Sequence, residues 1–436
     1  MPIGFKKDAQ AEQDQVMVPG QEDAQASKRG NKDSKHTQTP ADAAQAGAKH
    51  TQTPADAAQA GIKRDLRPQL MALDQKSLRK KTAIVGLLLF AVVMVSLCVD
   101  LYRGRMASPA EVLWCYGTWI SQTFMSFTGS PDVMTAAQIM DIQPSYFSLL
   151  GRAATTAVTV LAGALLALAG TLYQSVFKNP IASPSMLGVS SGIQVGYIVL
   201  ILVFGTAAGE ITAARYGLAY GFALLFLVAM FVLSKLISGK GRPLNIVNML
   251  VIGTILSQLA GIIINYVSWY VFDDEMWTAY NNLSEVLSVD TSGVALGILL
   301  VMTVVSVVPV IMLRFRLNVL SFSESDMRML GVNSHGIQLA ALVCGTLMMI
   351  ASQVAVGTVS MLALVVPHVS RALFGAEFRK QFVGNVLLGA LILVLCRVVL
   401  SFVPAISAWL PIGTVVSIIV LPVFVWIIAT QQRSWE

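Results

Sequence analysis

The sequence predicts an all-α membrane protein of about ten transmembrane helices, preceded by a disordered N-terminal tail. Composition is the first indication. The chain has 436 residues, 55% hydrophobic and 12% charged, whereas soluble domains are usually about 45–50% apolar and about 25% charged. The apolar residues also form runs of about 20, the length that crosses a bilayer. Finally, Lys and Arg are concentrated in alternate loops between these runs, the pattern typical of membrane proteins.

The tail comprises residues 1–81 and differs in composition from the rest of the chain. It holds 14 Lys and Arg against 10 Asp and Glu, so +4 of the net charge of +6 lies there. The segment KHTQTPADAAQAGA starts at Lys35 and is repeated from Lys49 with only its last residue changed. A segment this polar buries too little apolar surface to offset its ordering entropy, so we expect disorder. The high pI comes mostly from this tail and does not indicate a nucleic-acid partner.

Residues 82–433 are predicted to form the membrane domain. Its ten apolar runs are residues 82–101, 151–177, 186–206, 212–236, 245–271, 292–313, 336–356, 359–374, 382–403 and 410–429. The first run follows a basic stretch that ends at Lys81, and the loops after even-numbered runs are basic. Both termini are therefore expected in the cytoplasm, with the domain in a bacterial cytoplasmic membrane.

The segment from Met106 to Phe127 is apolar but interrupted by polar residues. We interpret it as an amphipathic helix on the outer surface, with Trp114, Tyr116 and Trp119 at the level of the lipid headgroups. The rival interpretation is an eleventh span. It would invert every later loop, and the charge pattern argues against it.

No enzyme motif is present in the sequence. Gly239-Lys240-Gly241 lacks the glycine and Ser/Thr spacing of a phosphate-binding loop, and neither HExxH nor GxSxG occurs. The four cysteines and four histidines show no metal-ligand spacing. We therefore expect no catalytic residue, no bound cofactor and no metal on this chain. Any energy for transport must come from a partner chain or an ion gradient.

Three polar residues inside apolar runs are candidates for a translocation path. Gln258 and Asn265 are seven residues apart in the fifth run, hence on one helix face. Arg397 lies within LILVLCRVVLSFV in the ninth run, where a charge costs at least about 2.5–3.5 kcal/mol and needs a protein or aqueous partner. Lining a path and joining helices by hydrogen bonds remain alternatives for all three, and a position near a docking partner is a further alternative for Arg397.

Four blocks of sequence resemble one transporter family. The first, GALLALAGTLYQSVFKNPIASPSMLGVSSG from Gly163 to Gly192, is similar to the signature of the iron-siderophore and vitamin B12 (FecCD-like) permeases of ABC importers. The second is LNVLSFSESDMRMLGV from Leu317, and the third has Gly357 followed by PHxxR. The fourth is LPIG from Leu410, followed by Pro422 and Phe424. The blocks occur in family order, and the resemblance covers roughly residues 82–433. The family-motif residues are Gln174, Asn179, Pro180, Pro184, Gly188, Pro367, His368 and Arg371.

The resemblance implies a type II ABC importer permease fold with two permease subunits, identical or different. It also implies two cytoplasmic ATPase subunits that bind ATP and Mg, and an external substrate-binding protein. Residues 317–332 would form the coupling loop that contacts the ATPase. The candidate coupling residues are Ser321, Phe322, Glu324, Asp326, Arg328, Leu330 and Gly331. The candidate path residues are Gln258, Asn265, Arg397, Pro411, Gly413, Thr414 and Ser417.

The chain also departs from the family pattern. The family usually has Arg-x-Pro-Arg before the second span, but this chain keeps only Arg152, which we assign to docking of the binding protein. In the ninth run and after it, Val398, Phe402 and Trp409 stand where the family has Asp, Arg and Glu. Docking is therefore expected to differ from that of relatives.

The predicted function is import of an iron-siderophore, haem or cobalamin-type chelate, driven by separate ATPase subunits. The alternative is an ion-coupled secondary transporter that works without an ATPase. Such a transporter needs carboxylates or histidines near the bilayer midplane, and the predicted span centres contain none.

Overall fold

The computed structural model describes residues 76–97, 109–128, 134–135, 138–139, 142, 146–239, 246–284, 293–322, 324–329, 334–375, 377–402 and 410–432. The duplicated part of the tail lies outside the described residues. The α-helices treated below are α1 Lys76–Leu97, α2 Pro109–Thr128, α3 Tyr146–Phe177, α4 Val189–Phe204, α5 Thr212–Ser238, α6 Ile246–Tyr270, α7 Asp274–Ser284, α8 Gly293–Leu317, α9 Glu324–Met329, α10 Ser334–Val356, α11 Met361–Phe374, α12 Phe378–Ser401 and α13 Ile412–Gln432.

The predicted all-α membrane fold is confirmed. Within the described ranges, eight helices are long and apolar enough to cross a membrane: α1, α3, α4, α5, α6, α8, α10 and α12. They correspond to eight of the ten predicted runs. The other two runs correspond to shorter apolar helices, Met361–Phe374 and Ile412–Val425. Helix α1 begins at Lys76, six residues before the predicted start, because the basic residues up to Lys81 continue the helix.

Helix α3 is the centre of the bundle. It packs against α10, α11 and α12. In its most apolar stretch of 18 residues, 67% is buried, compared with 78% in that of α10 and 61% in that of α12. In contrast, only 11–17% of the corresponding stretches of α1, α6 and α8 is buried. These outer helices expose large apolar side chains such as Leu87, Phe90 and Val304, as expected of helices that face lipid.

Small residues allow the close approach of α3 to its neighbours. A Cβ atom added at Gly163 would lie 3.0 Å from the Cβ of Leu393 on α12 and would overlap the backbone of Gly389. One added at Gly170 would lie 2.7 Å from the carbonyl carbon of Ala363 on α11. Close backbone packing through small residues is a principal source of helix association in lipid.

Buried polar side chains join the same helices. Ser352 on α10 donates to the carbonyl of Ala162 at 2.9 Å, and Asn385 on α12 donates to the hydroxyl of Thr171 at 2.5 Å. Towards the other end of α3, the hydroxyls of Ser96 and Thr156 are 2.9 Å apart and link α1 to α3. Each bond satisfies a polar group that would otherwise be left unpaired in an apolar surrounding.

A helix, α2, forms over most of the segment that the sequence predicts to be amphipathic. One face packs through Cys115 against Ile139 and Tyr146, while Leu113, Ile120 and Phe124 are exposed. It is not among the helices that qualify as spans. Its position at the headgroup level remains a prediction.

Candidate functional site

The candidate site lies at one end of the bundle, where α3 and α8 end and α12 begins. We call it the basic end, because Lys81, Lys178, Arg316, Arg371 and Arg379 lie on segments that meet there. Lys81 on α1 donates to the carbonyl of Leu373 in the last turn of α11 at 2.7 Å. This contact places the start of α1 beside the end of α11. The charge pattern predicts that this end is cytoplasmic.

The family-motif residues after α3 form a compact connection to α4. The side-chain oxygen of Asn179 accepts a bond from the backbone N–H of Ile181 at 3.0 Å, and Pro184 opens a short 3₁₀ helix, Pro184–Leu187. That helix ends at Gly188, whose φ of +78° favours glycine. A Cβ atom at Gly188 would also lie 3.0 Å from the carbonyl oxygen of Gly253 on α6. Both backbone conformation and close packing therefore select glycine there.

Gln174 joins the first motif block to the third. It is buried in the last turn of α3 and donates to the carbonyl of Leu364 on α11 at 3.0 Å. Its side-chain oxygen accepts a bond from an Nη atom of Arg371 at 2.7 Å. The glutamine thus uses both ends of its amide to hold α3 against α11. Two residues that are 197 positions apart in the sequence are brought into contact by this arrangement.

Pro367 and His368 shape the middle of α11. Proline has no backbone N–H, so Pro367 leaves the carbonyl of Ala363 without a helical donor, and this carbonyl faces Gly170 on α3. The Nδ1 atom of His368 lies 2.9 Å from the carbonyl oxygen of Leu364. Its ring meets Phe424 of α13 edge-on, with centroids 5.4 Å apart. The PHxxR motif therefore connects α11 to α3 on one side and to α13 on the other.

The coupling segment, residues 317–332, lies against the same end of the bundle. Its first part is a 3₁₀ turn, Asn318–Ser321, followed by Phe322, whose side chain is exposed. Its second part is the short helix α9, in which Met327 is fully buried and Asp326 is exposed. Ser321, Glu324 and Arg328 have described backbones, but their side chains, and all of Leu330 and Gly331, lie outside the described residues.

Two hydrogen bonds attach the 3₁₀ turn to the bundle. The Nζ atom of Lys178 donates to the carbonyl of Phe322 at 2.7 Å. The backbone N–H of Phe378, the first residue of α12, donates to the side-chain oxygen of Asn318 at 2.9 Å. Between the turn and the helices is a cavity of about 350 Å³. Its lining includes Gln174, Lys178, Asn318, Arg371, Phe378 and Gln381. The coupling segment, which is the second motif block, therefore meets the first and third motif blocks around one cavity.

The candidate path residues lie on two other helices. Gln258 and Asn265 are exposed on α6, which packs on α4 and α5. Thr414 is exposed and Ser417 half-buried on α13, which packs on α11 and α12. Pro411 precedes this helix, and Gly413 in its first turn packs against the backbone of Thr358. The polar residues of both helices thus lie at the surface of a single chain.

Arg397 and Arg152 are placed towards the end opposite the basic end. Arg397 is buried and donates to the hydroxyl of Thr159 at 2.9 Å and to the carbonyl of Thr155 at 3.4 Å, both on α3. This placement corresponds to the helix-joining alternative for Arg397. Arg152 is half-buried in the first part of α3, and its charge lies near Cys115 of α2.

A metal site is not evident in the part of the chain that the structure describes. There, no three His, Cys, Asp or Glu side chains are grouped closely enough to hold an ion.

A model of the FecCD transport family matches residues 109–430, which contain all four motif blocks and the whole cavity. The chain belongs to the FecCD transport family. The match starts at the first residue of α2, so it includes the segment that the sequence predicts to lie on the outer surface.

Individual relatives agree with this assignment. The chain is 28% identical over 282 residues to a probable iron chelatin transport system permease protein of Helicobacter pylori, covering 62% of this chain and 78% of the relative. It is 30% identical over 275 residues to the Fe(3+) dicitrate transport system permease protein FecC of Escherichia coli, covering 62% and 79%. A solved structure described as an inward-facing conformation of a metal-chelate type ABC transporter shares the fold. It has a TM-score of 0.61 at 20% identity, over 81% of this chain and 99% of the other.

Within this FecCD site, sequence reasoning missed the roles of Lys178 and Asn318. The sequence indicates only that Lys178 belongs to the basic loop after the second apolar run and that Asn318 belongs to the coupling loop. A signal for Lys178 does exist in the sequence, because a lysine directly after a long apolar helix and before Asn-Pro occupies a turn that faces the loops. No local pattern identifies Phe322 as its acceptor.

Proposed function

We propose that this chain is the permease subunit of an ATP-driven importer in a bacterial cytoplasmic membrane. It works as one of two permease subunits, with two cytoplasmic ATPase subunits and an external substrate-binding protein. The observation that supports this most strongly is the junction at the basic end. A short segment rests there on a cavity, and hydrogen bonds link it to Lys178 at the end of α3 and to Phe378 at the start of α12. Such a junction is suited to receive force from a cytoplasmic partner.

The coupling residues on this segment offer both apolar and polar contacts to an ATPase. Phe322 is 50% exposed and Met329 79% exposed, although both are large apolar side chains. Asp326 is exposed between them, and Glu324 and Arg328 lie on the same short helix. Apolar anchors bordered by charges are typical of protein interfaces. We assign Ser321, Leu330 and Gly331 to the same surface on the family pattern.

The translocation path is assigned to α6 and α13. Gln258 and Asn265 lie on one face of α6, on a helix whose other exposed residues are mostly apolar, such as Ile255 and Ile262. Polar amides on a lipid-facing surface are unfavourable, so a second permease subunit or an aqueous path must cover this face. Thr414 and Ser417 on α13 are polar residues that we assign to the same path. Pro411 and Gly413 are assigned to it as well, because they lie where that helix begins.

The opposite end of the bundle is assigned to the binding protein. Arg152 there is the remaining arginine of the family's entry motif, whereas Arg397 is joined to α3 and serves packing beside the path. Both termini are then cytoplasmic. The cargo we propose is a metal chelate of the iron-siderophore, haem or cobalamin type, and ATP with Mg is bound by the ATPase subunits.

The experiment is ATP hydrolysis by the chain purified together with candidate ATPase subunits from the same genome. Wild-type complex is compared with the double variant Glu324→Ala/Arg328→Ala. A matched control, Glu275→Ala, removes an exposed charge from α7. We expect the double variant to lose association or hydrolysis by about tenfold, the effect of about 1.4 kcal/mol at an interface.

The control should retain wild-type hydrolysis. If no ATPase associates with the wild-type chain, or if the double variant hydrolyses ATP as wild type does, the coupling assignment is wrong. In the first case the ion-coupled secondary transporter becomes the leading function.

A further inference from the structure

The turn at Lys178 combines an unfavourable backbone conformation with a long-range contact. Lys178 has a φ of +49° and, in the part of the chain described, is the one non-glycine residue with positive φ. This conformation costs an L-residue free energy that glycine or asparagine largely avoids. A lysine in this conformation indicates that its side chain makes a contact that offsets this cost.

That side chain reaches the coupling segment. The ammonium donates to the carbonyl of Phe322 at 2.7 Å, across 144 residues of sequence. Phe322 ends the 3₁₀ turn Asn318–Ser321, and its own N–H bonds to the carbonyl of Val319 at 3.0 Å. Carbonyls at the C-terminal end of a helical turn carry partial negative charge and bind cations well. The lysine is therefore held at the end of the turn that suits its charge.

The other end of the turn is attached separately. Asn318 accepts the N–H of Phe378 at 2.9 Å, which ties the start of the turn to α12. The cavity of about 350 Å³ lies between these two attachments. It leaves room for the turn to move relative to the helices. Without a link across the cavity, a displaced segment could fill that space and leave α3 in place.

Lys178 supplies such a link to α3. Gln174 lies one helical turn before it, and its amide is bonded to Leu364 and Arg371 of α11. A pull on the Lys178 ammonium therefore acts on the end of α3 at the point where α3 is already joined to α11. Since α3 is the most central helix and is packed through small residues, it is expected to move as a rigid element.

We propose that Lys178 is a positioning residue that ties the coupling segment to α3 and transmits ATPase-driven movement to the opposite end of that helix. This inference rests on the proposed function, because it requires an ATPase at the coupling segment. It adds a specific route, from Phe322 through Lys178 to α3, and assigns a role to a residue outside the family-motif set.

The test compares Lys178→Met, Lys178→Arg and wild type, each in complex with the ATPase subunits. Methionine retains length and loses the donor, whereas arginine retains the charge and donor. Arg379→Met is the matched control, since Arg379 is an exposed basic residue at the same end and is not part of the cavity lining. Hydrogen–deuterium exchange over residues 146–157 of α3 is measured with ADP and after trapping with ATP and vanadate.

We expect wild type, Lys178→Arg and Arg379→Met to show a nucleotide-dependent exchange difference at this remote end of α3. In Lys178→Met the difference should fall by about fivefold. That factor corresponds to losing roughly 1 kcal/mol of a charged hydrogen bond that is open to water. An unchanged difference in Lys178→Met would overturn the proposal.

Two further outcomes are distinguishable from this one. If Lys178→Met lowers the melting temperature and Lys178→Arg does not restore the exchange difference, the residue is purely structural and the proposal is wrong. If the wild-type chain binds no ATPase, the proposed function itself fails before the variants are compared.

Discussion

At the scale of single residues, several buried polar side chains in the described helices join one helix to another. Arg397 is the clearest example, because the sequence leaves open whether it lines a path or bonds to another helix. Its bonds to Thr159 and Thr155 on α3 satisfy part of a guanidinium that would be costly in lipid. Gln174 does the same at the basic end, between α3 and α11.

The Gln174–Arg371 pair gives a prediction at this scale. Gln174→Leu removes the acceptor of Arg371 and the donor to Leu364, leaving a guanidinium and a carbonyl without these partners. We expect the free energy of unfolding to fall by about 1–3 kcal/mol, the range for leaving a buried hydrogen-bonding group without its partner. Thermal unfolding of the purified protein in detergent measures the change.

Gln174→Glu is the control, since a carboxylate still accepts from Arg371 and adds an opposite charge. It should be less destabilised than Gln174→Leu. Equal melting temperatures for Gln174→Leu and wild type would show that the pair contributes nothing to holding α3 against α11.

At the scale of helices, close packing around α3 depends on glycine at a few positions. A Cβ atom at Gly170 would meet the backbone of Ala363, the carbonyl that Pro367 leaves without a helical donor. Gly170 and Pro367 thus both contribute to one close contact between α3 and α11. A larger residue on α3 must push the two helices apart.

We therefore predict that Gly170→Val lowers the free energy of unfolding by about 1–3 kcal/mol, as overpacking of a tight interior does. Gly217→Ala is the control, because no atom lies within 4 Å of the position its Cβ would take, and alanine favours a helix over glycine. Melting temperatures of the two variants should move in opposite directions. A Gly170→Val protein as stable as wild type would contradict the packing described for α3 and α11.

Most helices could be predicted from the sequence, because a span is recorded locally as a long apolar run. Even α11 was anticipated, although its 14 residues are fewer than a usual span. Helix α2 was expected from an apolar segment that polar residues interrupt. Contacts between distant segments are not recorded locally. The bond from Lys178 to Phe322 and that from Phe378 to Asn318 depend on how three helix ends meet, so the coupling segment was predicted and its attachments were not.

At the scale of the whole molecule, the surfaces of α6 and α13 support the proposal that two permease subunits form the working unit. Asn265 and Thr414 are exposed on helices that also expose Ile262 and Ile418. A second permease subunit that covers these faces would enclose the polar residues along a shared path. The basic end would then present two coupling segments to two ATPase subunits.

Native mass spectrometry of the chain, gently extracted after co-expression with candidate ATPase subunits, tests this account most directly. It predicts a complex of two permease chains, identical or related, with two ATPase subunits. The fraction of the chain that carries ATPase subunits should fall in Glu324→Ala/Arg328→Ala. A wild-type chain that remains free of any ATPase, yet moves a chelate when only an ion gradient is supplied, would contradict it.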